Sequence, residues 1–141
     1  MNTANATILI VDDELANREM LELLLQPEGY HTICASGGKQ ALAAITASLP
    51  DLILLDVTMP DLDGFEVASI LKGNPATASI PIIMVTAQSG RGARVVGLNT
   101  GAEDYLTKPV DAAELSLKVR NLLRLTANVE SAPVREAGPQ T

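Results

Sequence analysis

Residues 52–56 read Leu52-Ile53-Leu54-Leu55-Asp56, four aliphatic side chains in succession closed by a carboxylate. A strand with one wet face alternates apolar and polar residues, whereas a strand covered on both faces reads as a continuous apolar run. Two further runs have this character, Ile8-Leu9-Ile10-Val11 and Ile80–Val85, and weaker β-rich runs stand at Tyr30–Ala35 and Asp104–Thr107. Segments with helical spacing lie between them. In the first, Leu21, Leu24 and Leu25 follow Glu14 and Asn17, with Gly29 where a helix stop is expected. In the last, Asp111-Ala112-Ala113-Glu114 is a capping-box candidate, followed by Leu115, Val119, Leu122 and Leu123 on one face. Arg91–Asn99 is a poor helix, because Gly92 and Gly97 each cost about 1 kcal/mol relative to alanine. It is expected to be the loosest.

Strand–helix alternation with short connections predicts an α/β fold with right-handed crossovers. Five such units give a doubly wound, flavodoxin-like, five-stranded parallel sheet of order 2-1-3-4-5, with five helices on both faces. After Leu125 the pattern dissolves, and Pro133, Gly138 and Pro139 follow. The domain is therefore read over residues 1–126, and residues 127–141 as a flexible linker or C-terminal tail.

Composition narrows the function. A chain of 141 residues has the size of one domain, and 47% apolar residues are enough for a real core. Aromatic residues are scarce: one Phe, two Tyr and no Trp argue against stacking on bases or sugars. Seventeen acidic against ten basic residues give a net charge of −7, which repels phosphate backbones and anionic membrane surfaces. Neither nucleic acid nor a membrane is expected as a direct partner. No apolar run approaches the roughly 18 residues of a membrane span, and Met1–Ala6 has no leader pattern. The lone Cys34 cannot close an internal disulfide, which suits a reducing, cytoplasmic setting.

Ligands of open α/β sheets bind beyond the carboxyl ends of the strands, so the residues that close each strand carry the information. The first run ends in Asp12 and Asp13, the third in Asp56, the fourth in Thr86 and the fifth in Lys108. Taken singly, each has an ordinary explanation as a helix cap, a turn former or a solvated lysine. Taken together, the predicted strand order brings three carboxylates, a hydroxyl and an ammonium to one edge. Carboxylates so placed repel one another unless a cation sits among them, and all-oxygen ligands select Mg²⁺ or Mn²⁺. A metal at a carboxylate can shield it from an incoming phosphoryl group, while Lys108 offers a second positive charge and Thr86 a hydrogen bond. Small Ala87 leaves room above. Asp56, on the central strand, is the carboxylate best placed for attack.

These residues lie within four motifs: Ile8-Leu9-Ile10-Val11-Asp12-Asp13-Glu14, the segment from Leu54-Leu55-Asp56-Val57-Thr58-Met59-Pro60 to Asp61-Leu62-Asp63-Gly64, Val85-Thr86-Ala87, and Gly101–Pro109 with Tyr105 and Lys108. Over roughly residues 7 to 125, the chain resembles the receiver domain of two-component response regulators. The resemblance implies that Asp56 takes a phosphoryl group from a sensor histidine kinase or a phosphotransfer protein. It implies that Asp13, Asp56 and the backbone carbonyl of Thr58 bind Mg²⁺, with Asp12 reaching it through water. Lys108 would contact the phosphoryl group and precede a cis Pro109, Thr86 would shift toward that group, and Tyr105 would turn inward. The readout would be the face made by the fourth helix, fifth strand and last helix, acting through a phosphorylation-dependent homodimer, a partner or an output domain. Gly97–Tyr105 looks like receivers that precede cyclic-di-GMP turnover domains. Thr58 and Gln88 flank the path of the hydrolytic water in the family and bear on phosphate lifetime.

Beyond its own phosphorylation and dephosphorylation, no enzymatic activity is expected. An aspartate-nucleophile phosphohydrolase would want a second acid two residues after the nucleophile, where Thr58 stands. A flavin binder would want phosphate donors after the first strand, where Asp12-Asp13-Glu14 repels phosphate. The remaining alternative is an interaction module of the same fold that does not depend on phosphorylation.

Overall fold

The structure is a computed structural model describing residues 5–87 and 100–137. Five strands, β1 (Thr7–Val11), β2 (His31–Ala35), β3 (Leu52–Asp56), β4 (Ile82–Thr86) and β5 (Asp104–Thr107), form one sheet. All pairings are parallel and the order is β2-β1-β3-β4-β5, as the alternating pattern predicts. Among the described residues the α-helices are α1 (Leu15–Leu25), α2 (Gly38–Ala47), α3 (Gly64–Lys72) and α4 (Ala112–Ala137). The expected helix at Arg91–Asn99 lies outside the described residues, as does Gln88.

The unbroken apolar runs have a direct packing cause. Successive side chains of a strand point to opposite faces. Leu9, Val11, Ile53, Leu55, Ile82 and Met84 enter one core with α2 and α3, represented by Ala41, Ile45, Val67 and Leu71. Ile8, Ile10, Leu52, Leu54, Ile83 and Val85 enter the other with Leu21 and Leu25 of α1 and Leu115, Val119 and Leu123 of α4. Burying each large aliphatic contributes about 1.5–3 kcal/mol. Either polar alternation would therefore empty one of the two cores.

Local chemistry sets the element ends. Gly29 closes a 3₁₀ turn (Gln26–Glu28) after α1 at φ 95°, a left-handed conformation that glycine adopts without strain. β4 begins at Ile82 rather than at Ile80, because Pro81 has no N–H to give the ladder; its carbonyl accepts the Ile53 N–H at 3.0 Å. Helix α3 starts with a complete capping box, Asp63 with Glu66, at 2.8 and 2.9 Å. At α4, Asp111 accepts the Glu114 N–H at 2.8 Å.

Helix α4 runs to Ala137, so the stretch 127–137, expected as linker, has helical backbone. Residues 126–132 contain neither Gly nor Pro, and extending a helix already nucleated by packing adds one hydrogen bond for each residue fixed. The helix passes Pro133 and ends where Gly138-Pro139 follows in sequence.

At the amino-terminal edge of β4, the Lys72 ammonium donates to the carbonyls of Ala78 (3.0 Å) and Ile80 (2.8 Å) and to the Glu103 carboxylate (2.8 Å). Glu103 also accepts the Ile82 N–H at 2.7 Å. This network ties α3, the start of β4 and the approach to β5 together. Lys72→Met removes the ammonium and keeps the stem. It is expected to lower unfolding free energy by about 2–3 kcal/mol, since two carbonyls and a carboxylate lose their partner. Urea denaturation checks this; an unchanged midpoint would remove the network from the fold's support.

Candidate phosphoacceptor site

The carboxyl edge of the sheet gathers the strand-closing residues as predicted. Asp12 follows β1 and is 1% exposed, while Asp56 closes β3 at 4% and Thr86 closes β4 at 5%. Asp12 is fixed by its neighbours. Its N–H donates to the Ala35 carbonyl at 3.1 Å, its Oδ1 accepts the Glu14 N–H at 2.9 Å, and its carbonyl accepts the Arg18 guanidinium at 2.7 Å. Asp13, next along the chain, is exposed.

Lys108 reaches in from the end of β5. Its Nζ lies 3.2 Å from Asp12 Oδ2 and 3.2 Å from Asp56 Oδ1, and its backbone N–H donates to the Thr86 carbonyl at 2.8 Å. The Lys108–Pro109 peptide is cis. Each of Asp12, Asp13 and Asp56 offers a carboxylate oxygen within 4.8 Å of the others. Two unit charges at that distance repel by about 3 kcal/mol at an effective dielectric near 20. Among the described residues one ammonium faces three carboxylates, and the two charges left over match a divalent cation. The donor set is entirely oxygen, the preference of a hard ion. The residues present fit such a metal.

The electrostatics agree. Burial pushes the Asp56 carboxyl above its ordinary range, the Asp12 and Asp13 charges push the same way, and Lys108 opposes them. For Lys108 burial pulls the ammonium down, but the Asp56 and Asp12 carboxylates outweigh it and hold it above the usual lysine value.

The loop after Asp56 is pressed against the site by a glycine. A Cβ on Gly64 would overlap the Asp56 carbonyl oxygen and stand 2.9 Å from Val57 Cα. The Gly64 N–H donates to the Val57 carbonyl at 2.7 Å. Thr58 is exposed, between Val57 and buried Met59. Tyr105 is half-buried on β5. Lys118 of α4 stands 5.0 Å from its ring centroid and donates to its carbonyl at 2.9 Å and to Asp104 at 3.0 Å.

Sequence reasoning missed Lys118, whose signal was the Glu114–Lys118 spacing that closes as a 3.3 Å ion pair. Cys34 is half-buried, with its thiol pushed up to about 11 by burial and by the Glu22 carboxylate. His31 is exposed on the edge strand β2.

Comparison with known proteins gives the class. The response regulator receiver domain family matches residues 8–120, and the chain belongs to it. Among curated relatives it is 47% identical over 133 residues to the response regulator PleD of Caulobacter vibrioides, covering 94% of this chain and 29% of PleD. It is 44% identical over 133 residues to the phosphate regulon transcriptional regulatory protein PhoB of Pseudomonas aeruginosa, covering 94% of this chain and 58% of PhoB. The chain thus spans less than two thirds of these relatives. Of solved structures, a putative response regulator from Chloroflexus aurantiacus superposes with a TM-score of 0.83 at 41% identity, covering 85% of this chain and 98% of that one. Chemotaxis protein CheY4 of Vibrio cholerae gives 0.79 at 30% identity, covering 84% and 98%.

The charge balance yields a prediction. A carboxyl whose folded pKa is raised favours folding in its protonated form, so its contribution is present below the unfolded value near 4 and is lost as pH rises through the folded one. Without divalent cations, Asp56→Asn is therefore expected to be more stable than wild type at pH 7, and the advantage should shrink toward pH 4. Thermal unfolding across that range tests it. A variant less stable at pH 7 would contradict the repulsion.

Proposed function

We propose that this chain is a phosphoacceptor receiver that takes a phosphoryl group from a sensor histidine kinase or phosphotransfer protein onto Asp56. The observation that carries the reading is the Lys108 ammonium held 3.2 Å from both buried carboxylates, beside a three-aspartate cluster able to hold a cation. An Asp56 carboxylate oxygen attacks phosphorus; the new O–P bond forms as the N–P bond of a phosphohistidine breaks, and the histidine nitrogen takes up a proton. Asp13, Asp56 and the Thr58 carbonyl would hold Mg²⁺, or Mn²⁺ in its place, with Asp12 beside them. When bound, the cation supplies positive charge to the phosphoryl oxygens. Lys108 exchanges its carboxylate contacts for the phosphoryl oxygens, and the Thr86 hydroxyl donates to them.

The new group carries about −1.5 to −2 charges, and the switch is the response of Thr86 and Tyr105 to it. The signal passes to a homodimer, a partner protein or an output domain such as one for cyclic-di-GMP turnover. Residues 1–126 form the receiver, and 127–141 serve as a linker or C-terminal tail. No helix among the described residues is long and apolar enough to cross a membrane. With the acidic balance and the single cysteine, this supports a cytoplasmic protein without direct nucleic-acid contact and without catalysis beyond its own phosphorylation and dephosphorylation.

Intact-mass spectrometry after incubation with acetyl phosphate tests the chemistry. One phosphoryl adduct is expected in Mg²⁺, none in chelator and none in Asp56→Asn. If beryllofluoride, a phosphoryl mimic, also fails to bind in Mg²⁺, the fold serves as a phosphorylation-independent interaction module instead. For the switch, Lys108→Ala is expected to keep the fold and still bind beryllofluoride, yet sediment as a monomer where activated wild type dimerises. Equal dimerisation by both would take Lys108 out of the switch.

A further inference from the structure

Helix α2 begins without a cap of its own. Its N-cap is Gly37, which has no side chain to satisfy the first amides. The acceptor arrives from the β3–α3 loop. The Asp61 carboxylate accepts the Gly38 N–H at 3.1 Å through Oδ1 and the Lys39 N–H at 3.0 Å through Oδ2. Glycine is what lets it approach, because a Cβ on Gly37 would stand 3.1 Å from both carboxylate oxygens. The next position is tighter still: a Cβ on Gly38 would lie 2.7 Å from Leu62 Cβ and 2.9 Å from Val67 Cγ2. The start of α2 is thus fitted to this loop, with two glycines on one side and one carboxylate on the other. Asp61 is exposed, yet the amides of Lys39, Leu62 and Gly38 hold its carboxyl down to about 2, so the cap is charged at any ordinary pH.

The loop is clamped at three points. Val57 is bonded to the Val85 carbonyl through its N–H at 3.0 Å and to the Gly64 N–H through its carbonyl at 2.7 Å. Met59 is buried in the core shared with α2 and α3. Asp61 is bonded to α2. Thr58 lies between the first two clamps, and Asp61 ties the exposed part of the loop, Pro60 and Asp61, to a different helix, α2.

We propose that Asp61 is a positioning residue: by capping α2 across the loop, it fixes the backbone at Thr58, whose carbonyl is an oxygen donor to the metal. The inference rests on the metal set of the proposed function. Mg²⁺ demands near-ideal octahedral geometry, so a donor on a loosened loop costs affinity.

Calorimetric Mg²⁺ titration of wild type, Asp61→Ala, Asp61→Asn and Gly37→Ala separates the possibilities. Asp61→Ala is expected to bind Mg²⁺ about tenfold more weakly, the low end of what loss of an outer-shell partner costs. Asp61→Asn, which keeps one acceptor oxygen, should fall between. Gly37→Ala keeps the carboxylate but displaces it, and should weaken binding in the same direction; it carries the test if Asp61→Ala does not fold. In acetyl phosphate reactions the variants should need more Mg²⁺ for half-maximal rate and reach the wild-type rate at saturation. Faster hydrogen exchange at Gly38 and Lys39 with unchanged Mg²⁺ affinity would overturn the inference and leave Asp61 a cap alone. Wild type that binds no Mg²⁺ would overturn the metal set itself, and this inference with it.

Discussion

The Lys108 ammonium, shared at 3.2 Å between Asp12 and Asp56, is the interaction on which the rest of the site depends. Its three residues come from the ends of β1, β3 and β5, and they meet only because those strands run parallel in one sheet with β1 and β3 adjacent. Two carboxylates buried at the edge of an aliphatic core would otherwise be a serious liability, since removing a charge from water costs several kcal/mol unless it is paired. The pairing here is deliberately incomplete in its charge count. Among the described residues one side-chain ammonium, that of Lys108, is paired with carboxylates of this three-aspartate cluster, and the charge deficit leaves the edge able to hold a metal.

The aliphatic strands make this arrangement tolerable. Leu52 to Leu55 divide their side chains between two cores, so β3 is buried along its whole length and cannot move to relieve the repulsion at Asp56. Gly64 adds to the confinement by closing on the Asp56 carbonyl, where no other residue fits without displacing backbone. The carboxyl is held at raised pKa by packing that was stabilised elsewhere.

Much of this was legible in the sequence, for physical reasons. Continuous runs such as Ile8–Val11 reveal double-sided burial, and strand-closing residues fall at one edge of any parallel sheet. Asp12, Asp13, Asp56, Thr86 and Lys108 could therefore be placed together from their positions alone. What stayed hidden were contacts between segments distant in sequence. Nothing local marks Lys72 as the donor to Ala78, Ile80 and Glu103, or Asp61 as the cap of a helix that begins more than twenty residues earlier. Helix α4 shows what amphipathicity leaves open. Fading amphipathicity after Leu125 suggests a linker, whereas the backbone of α4 is helical to Ala137, since extending a nucleated helix adds one hydrogen bond for each residue fixed.

The same geometry says how a charge at Asp56 would be felt at a distance. Lys108 has one ammonium and, in the proposed function, three claimants: Asp12, Asp56 and the phosphoryl oxygens. Its backbone is not free to follow, because the Lys108 N–H is bonded to the Thr86 carbonyl, one step beyond the Thr86–Thr107 register pair. Any redistribution at the ammonium therefore bears on the junction of β4 and β5. Three residues upstream on β5, Tyr105 is held through its carbonyl and ring by Lys118, which also binds Asp104 and Glu114. In the proposed function, Asp56 at β3, Thr86 at β4 and Lys108 at β5 would carry that change along the sheet edge toward Tyr105, whose ring and carbonyl Lys118 of α4 contacts. Even complete inversion of a two-state population needs only about 5.5 kcal/mol. That is within reach of one doubly charged group competing for one ammonium, and it requires no distortion of the strands.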